Sequence, residues 1–485
     1  TGWSFSGFLL AVEDGNSYLA KMGEGAHGAW RFTLAYSSEP QRGAFVFLFY
    51  LLLGKLAGTS HEAQGMVYHL ARLACGFALL LVSYRFLAEF LPRVRQRRLA
   101  LLWVALGGGL GWLLILLGQT QMFGSLPIDF YSPEAYTFLI LYTLPHLAAA
   151  RCLFLLGLLA YLSGKGGWAG LALLGVSLIQ PLSVLVAWLV MGVDTVLGWV
   201  TRWRNAPYAI RDTRYAMPIA ILLSSPVVAY TIFAFSTDPI LKQWNAQNVL
   251  PSPHPLHYLF GYGIWLILGL WGGAVLQRRR PGLARFVVGW AVAIPFLLYA
   301  PIPTQRRLIE GFQLPVVALA VLGMTIALQR RRRWLVPAVF ALTLPTSVIL
   351  LLGGFRAASA PTEPIFLPAD QRAVFDWLSK NAHPGQVALS AFETGNALPA
   401  YTPLIAYIGH GPETVFLAEK RPRVAAFYRS STTDNERRQL LADGRIAFVL
   451  FGPPEHALGD FDPATAGYLY RQFSADEYAV YQVEP

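Results

Sequence analysis

Apolar runs of membrane-spanning length alternate with short polar gaps along most of this chain. Because about 20 helical residues cross the ~30 Å hydrocarbon layer, spans are predicted near 65–90, 99–118, 136–162, 215–235, 257–276, 284–300, 311–328 and 334–353. The run 167–200 is too long for one upright span and short for two. Gln180-Pro181 interrupts it, so two short half-spans meeting at the proline are expected, giving ten crossings. The earlier run 43–58 (GAFVFLFYLLLGKLAG) is short; counted as a span, it would invert every later basic loop. It is expected to lie flat in the outer interface. After Gly353 the apolar runs shrink to strand length and carboxylates return. PADQRAVFDWLSKN reads as a helix and QVALSAF, PLIAYIG and RIAFVLFG as strands, which predicts a small α/β domain. The expected fold is mainly α: a polytopic transmembrane helical bundle with a C-terminal extracytoplasmic α/β domain. Its expected parts are 1–64 (first outer loop with the interfacial helix), 65–353 (bundle) and 354–485 (outer domain).

Charge orients this thread. Basic residues concentrate in alternate gaps: Arg93/Arg95/Arg97/Arg98, Lys165, Arg202/Arg204/Arg211/Arg214, Arg278/Arg279/Arg280/Arg285 and Arg330 to Arg333. The intervening short gaps hold only Lys242, Arg306 and Arg307. The positive-inside rule places the first set in the cytoplasm, and the N-terminal loop and C-terminal domain on the opposite face of a cell membrane. Ten crossings with both ends outside imply that an upstream first helix, or less favourably a cleaved signal peptide, carries the N-terminus across.

Composition agrees with a membrane class: 55% hydrophobic and 13% charged residues are outside the range of a soluble globular chain. The net charge of +11 does not point to nucleic acid, because the basic clusters flank apolar segments; membrane lipids are their natural partners. Cys75 and Cys152 sit inside predicted spans, so no disulfide framework is implied.

Glu13 and Asp14 are adjacent acids in the first outer loop. A carboxylate there can take the proton of an incoming hydroxyl nucleophile, or hold a divalent ion beside a lipid-linked phosphate. The alternative is a solvated pair capping a helix that begins near Ser17.

The segment FLLAVEDGNSYLAKM, followed by a Trp, the Tyr36-Ser-Ser-Glu-Pro40 turn and the FLFYLLLGKLAG helix, resembles the first outer loop of GT-C class glycosyltransferases, to which protein O-mannosyltransferases and lipid A aminoarabinose transferases belong. On that resemblance Asp14 takes the place of the catalytic aspartate and Tyr18 that of the tyrosine after it. Gly15 stands where those enzymes often carry a second acid, and Glu13 precedes Asp14 instead, so either carboxylate can be the base. The resemblance further implies a polyprenyl-phosphate sugar donor, an acceptor protein, lipid or glycan arriving from outside, and inversion at the anomeric carbon. It settles no cofactor beyond an optional divalent ion.

Other polar residues are placed by position. Glu39 sits where a second contact to donor or acceptor is expected, in what is also an ordinary turn. Asp129 and Glu134, in the outer loop SLPIDFYSPEAYTF, could face Asp14 across a cavity, or belong to a solvated loop capped at Ser132. Arg151 lies midway along a span, which costs at least ~2.5 kcal/mol unless it faces protein or water. A structural ion pair with another helix explains it as well as a functional role does. His146 could contact a donor phosphate or pack between helices. Arg306 and Arg307, beside Glu310 at a span's mouth, can grip a polyprenyl phosphate or act as interfacial anchors. Arg72 and His69 read as snorkelling residues. Gly107, Gly108, Gly109 and Gly111 read as close helix packing, and Glu393 to Asn396 and Gly409-His410-Gly411 as turns. The function expected is that of an integral-membrane glycosyltransferase. The alternative is a non-catalytic membrane subunit whose outer domain binds a partner; a transporter ranks third, since no inverted repeats are evident.

Overall fold

A computed structural model describes residues 2–203, 213, 215–329 and 334–484 of the chain. Arg204, Arg211, Arg214 and Arg330 to Arg333, part of the basic pattern above, lie outside the described residues. The protein is a mainly helical, multi-pass membrane protein with a small sheet near its C-terminus. Two compact units emerge: Thr1–Tyr68 with Ala234–Asn248 and Gly354–Pro485, and His69–Phe233 with Val249–Gly353.

In the second unit the helices follow the apolar runs, and prolines set several of their joints. Leu144, Gln180 and Arg280 each precede a proline and adopt extended backbone (φ −120°, −143° and −146°), because the proline ring crowds the helical conformation of the residue before it. These joints separate Thr137–Thr143 from Pro145–Leu162, Gly166–Ile179 from Pro181–Trp203, and Pro255–Arg279 from Pro281–Leu297. The run 167–200 is therefore broken at Gln180 as expected, but unequally, since the second piece alone is long enough to span. Among the described residues, six helices have the length and apolarity to cross by themselves. The bent pair Leu335–Thr343 and Pro345–Ser359 would make a seventh. Of the ten crossings expected, Gly166–Ile179 and Pro281–Leu297 are short, and the predicted span 99–118 is two helices, Val94–Leu106 and Gly111–Leu116. Its glycines end the first helix.

Tight packing in this unit depends on small residues. A Cβ at Gly272 would strike the Leu319 carbonyl and one at Gly323 the Leu268 carbonyl, so the Pro255–Arg279 and Gln313–Gln329 helices touch backbone to backbone. Gln313 ties further segments together: its carbonyl oxygen accepts from Thr137 N–H and hydroxyl at 2.9 Å each, and its amide donates to the Gly107 carbonyl at 2.9 Å.

In the first unit, helix Val12–Ala26 packs on the apolar helix Leu48–Ala57, with Gly25 against the Leu51 carbonyl and Gly54 against the Met22 carbonyl. Strand Trp3–Phe5 pairs antiparallel with Phe366–Pro368, which joins the chain's beginning to the segment after Gly353. The five-stranded sheet runs in the order Ile405–Ala406, Val387–Leu389, Ile446–Phe451, Tyr478–Val483, Leu469–Ala475. Its first three strands are parallel and its last two form an antiparallel hairpin. Helix Ala369–Asn381 and the three parallel strands coincide with the segments read from sequence.

Candidate functional site

The Val12–Ala26 helix opens on Ala11 in the left-handed region (φ 54°) with no side-chain cap, so its first-turn N–H groups receive no help from Ala11. Glu13 and Asp14 occupy that first turn, where the partial positive charge of the helix end favours carboxylates. The helix thus starts at Val12, ahead of the position near Ser17 that a capping role would give it.

Residues of the C-terminal part meet both acids. Glu13 Oε1 accepts the Gly411 backbone N–H at 2.7 Å, and its carbonyl accepts from the Asn396 amide at 3.4 Å. Asp14 remains 58% exposed, with Oδ1 3.6 Å from His410 Nε2. His410 is itself held: its Nδ1 accepts the Glu413 backbone N–H at 3.2 Å, which leaves the proton on Nε2, the atom facing Asp14. Burial disfavours a second proton on His410, but the Glu413 and Asp14 carboxylates outweigh it and raise the pKa above the usual imidazole value.

Beneath this rim lies a buried ion pair. Lys21, 1% exposed, donates from Nζ to Glu413 Oε1 at 2.7 Å and to the Ser17 hydroxyl. Its ammonium stands 4.7 Å from the Phe47 ring centre and 5.2 Å from that of Phe32. The Ser17 hydroxyl donates to the same Glu413 oxygen at 2.9 Å. Burial would push the Glu413 carboxyl up; Lys21, His410 and Ser17 together hold it below the usual value instead. Ser37 braces the loop, donating to the Glu413 carbonyl at 2.9 Å and accepting the Val415 N–H at 2.8 Å. Gln247 donates to the Pro412 and Thr414 carbonyls at 2.9 and 2.6 Å. One turn further along the helix, burial pushes Glu24 up to about 8, even though Thr33 donates to it from N–H and hydroxyl and the Lys21 cation is near.

Tyr18 lies one turn after Asp14, its ring stacked on Tyr50 with centres 4.5 Å apart. Glu39 forms an ion pair with Lys420 at 2.7 Å, and burial lowers the Lys420 pKa in spite of that partner. The structure thus gathers Glu13 and Asp14 with His410, Gly411, Glu413 and Lys21. In the sequence Gly409-His410-Gly411 reads as a turn, and neither Lys21 nor Glu413 stands out from its neighbours.

The remaining sequence-derived residues belong to the second unit. Asp129 is buried and accepts three bonds, from the Gly109 and Gly111 N–H groups at 3.0 and 3.2 Å and the Thr346 hydroxyl at 2.7 Å. The glycines are what allow this, since a Cβ at Gly111 would collide with the Asp129 carboxylate. Arg151, fully buried, pairs with Glu310 at 2.6 Å and donates to the Glu134 carbonyl at 2.6 Å and the Thr137 hydroxyl at 3.2 Å. The Glu134 carboxylate stands 3.5 Å from Arg307 Nε. The Arg306 guanidinium lies 4.7 Å from the Tyr131 ring centre, and its Nε is buried with no hydrogen-bond partner among the described residues. His146 is buried on the Pro145–Leu162 helix. Arg72 donates to the Leu141 and Tyr142 carbonyls at 2.9 and 3.1 Å, and to the ring of His69.

No model of a known family matches the sequence, and no curated protein matches it either. Structures do match. The oligosaccharyltransferase of Archaeoglobus fulgidus in its apo form superposes with a TM-score of 0.55 at 12% identity, over 97% of this chain and 70% of that one. The same archaeal enzyme with an inhibitory peptide and a dolichol-phosphate gives 0.54 at 12% identity, over 96% and 69%. ArnT from Cupriavidus metallidurans in the apo state gives 0.50 at 16% identity, over 96% and 92%. The chain therefore has the fold that these two membrane proteins share, the fold expected from the resemblance of its first loop to GT-C enzymes.

Proposed function

We propose that this protein is an integral-membrane glycosyltransferase that moves a sugar from a polyprenyl-phosphate carrier to a hydroxyl-bearing protein, lipid or glycan on the extracytoplasmic side. The observation that carries the reading is the first turn of the Val12–Ala26 helix. Of its two acids, Glu13 is engaged by the Gly411 N–H, while Asp14 keeps an exposed carboxylate beside the His410 N–H. Asp14 is the base: it takes the acceptor's proton as the acceptor oxygen bonds to the anomeric carbon, and the carbon–phosphate oxygen bond breaks with its electron pair leaving on the phosphate. Glu13 holds the loop to the helix. His410 is a positioning residue: its Nε2–H, 3.6 Å from Asp14 Oδ1, attracts the carboxylate electrostatically and biases its orientation.

Arg306 is the residue we propose for the donor phosphate, because a desolvated guanidinium N–H without an acceptor is costly to keep unless a ligand supplies one. Arg307 adds charge there, tempered by Glu134. Arg151, Glu310 and Asp129 are structural in this reading, their polar atoms being taken up within the bundle. Among the described residues no three His, Cys, Asp or Glu side chains converge, and a divalent ion beside the donor phosphate would need no more than one or two carboxylates, such as Glu13 or Asp14.

Incubating the purified protein with a panel of polyprenyl-phosphate sugars and candidate acceptors, and assaying free polyprenyl phosphate and glycosylated product, tests the reading. Release of both in equal amounts is expected. Donors that bind yet never turn over would favour the non-catalytic subunit.

A further inference from the structure

A large cavity lies away from these residues, entirely within the second unit. It has a volume of about 1250 Å³ and runs between helix Pro181–Trp203 and helix Pro281–Leu297, past Val193, Leu197, Val288, Val292 and Phe296. Small-molecule clefts are roughly 300–1,000 Å³, so this one is large for a metabolite. Its wall is mostly apolar, and Leu197, Val292 and Phe296 on that wall are exposed, so it opens sideways toward hydrocarbon.

One end is strongly cationic. Arg278, Arg279 and Arg280 close the Pro255–Arg279 helix and its joint, and Arg285 follows on the next helix. Among the described lining residues the one carboxylate is Asp194, and it is spent: its Oδ1 pairs with Arg285 at 2.7 Å and its Oδ2 accepts from the Tyr161 hydroxyl at 2.9 Å. Of the other three arginines, the described hydrogen bonds include one from Arg280 to the Glu89 carbonyl at 3.3 Å, which neutralises no charge. Three guanidinium groups thus stand at the mouth of a long apolar trough.

We propose that this groove is a binding site for an anionic diacyl phospholipid of the phosphatidylglycerol type. Its phosphate sits on Arg278, Arg279 and Arg280, and one acyl chain lies along the Pro281–Leu297 helix. Charge complementarity selects the headgroup, since planar guanidinium groups bind phosphate oxygens bidentately at the membrane interface. The lateral opening selects a lipid over a soluble phosphate.

Native mass spectrometry of the purified protein with dioleoyl-phosphatidylglycerol, dioleoyl-phosphatidylcholine or undecaprenyl phosphate tests this. Phosphatidylglycerol should bind at least tenfold tighter than phosphatidylcholine. An Arg278→Gln/Arg279→Gln/Arg280→Gln variant should lose on the order of a hundredfold in that affinity while its phosphatidylcholine binding is unchanged. Ala293→Trp, which fills the trough and leaves the arginines intact, should displace phosphatidylglycerol as well, and it keeps the test decisive if the triple variant does not fold. The assignment is overturned by equal binding of the two phospholipids, by retention of phosphatidylglycerol in either variant, or by an undecaprenyl phosphate affinity that falls in the triple variant as far as that of phosphatidylglycerol.

Discussion

Replacing Lys21 by Met should be among the most damaging single changes in the first unit, and the structure sets the size of the effect. The ammonium is 1% exposed and lies 2.7 Å from Glu413 Oε1, so its removal strands a buried carboxylate with the Ser17 hydroxyl and the His410 ring beside it. Breaking a buried pair from one side costs ~3–5 kcal/mol, because the surviving charge stays desolvated. Removing Glu413 by Gln leaves the mirror problem at Lys21 and should cost a similar amount. The double variant loses the interaction once, so its cost should fall short of the sum by about 2 kcal/mol or more. The pH dependence carries the sign. Glu413 is held below its usual value in the native protein, so its contribution is full above about pH 4.5 and lost as pH falls further. In Lys21→Met burial is no longer offset by the ammonium, so the carboxyl takes up a proton above its usual range and the variant's penalty should shrink as pH drops. Denaturant titrations in detergent, followed by tryptophan fluorescence at several pH values, measure all three variants. A Lys21→Met protein within about 1 kcal/mol of wild type, or singles that simply add, would refute the reasoning.

His410→Ala should lower kcat on the order of 10²-fold with little change in KM, and His410→Gln, which keeps a donor, should recover part of the loss; equal activity of the two variants would remove the positioning role. For Glu24, pushed up to about 8 by burial from an ordinary 4.5, its contribution to stability should be full below about pH 4.5 and be lost as pH rises through 8. Glu24→Gln should flatten that decline in thermal melts and keep an acceptor for Thr33; an unchanged profile would place the titration elsewhere. In the bundle, Arg151→Met should destabilise by ~3–5 kcal/mol, and the Arg151→Met/Glu310→Met double should recover much of it, as melting of the purified variants would show.

Much of the membrane architecture was readable because it rests on local rules. Apolar length located the helices, and Pro145, Pro181 and Pro281 stand at their joints because the residue before a proline resists helix. The glycines near 109 were less transparent. Their role depends on Gly261 and Asp129, and nothing local announces that a carboxylate will need two N–H donors there. Arg151 was legible as a residue requiring a partner, but the partner, Glu310, is 159 positions away. Lys21 was illegible for the same reason. In VEDGNSYLAKM it reads as one polar residue among several, and only its meeting with Glu413, 392 positions on, makes it a buried ion pair. The hairpin Leu469–Ala475 with Tyr478–Val483 (LYRQFSA, YAVYQV) shows no clean alternation of apolar and polar residues, which is why neither strand is among those expected.

The proposed chemistry turns on one carboxylate. Turnover of polyprenyl-phosphate sugar by purified Asp14→Asn and Glu13→Gln proteins, each compared with wild type in donor binding and melting temperature, tests it most directly. The account predicts that Asp14→Asn binds donor, melts like wild type and transfers no sugar, while Glu13→Gln retains substantial transfer. Full transfer by Asp14→Asn, or loss confined to Glu13→Gln, would contradict it.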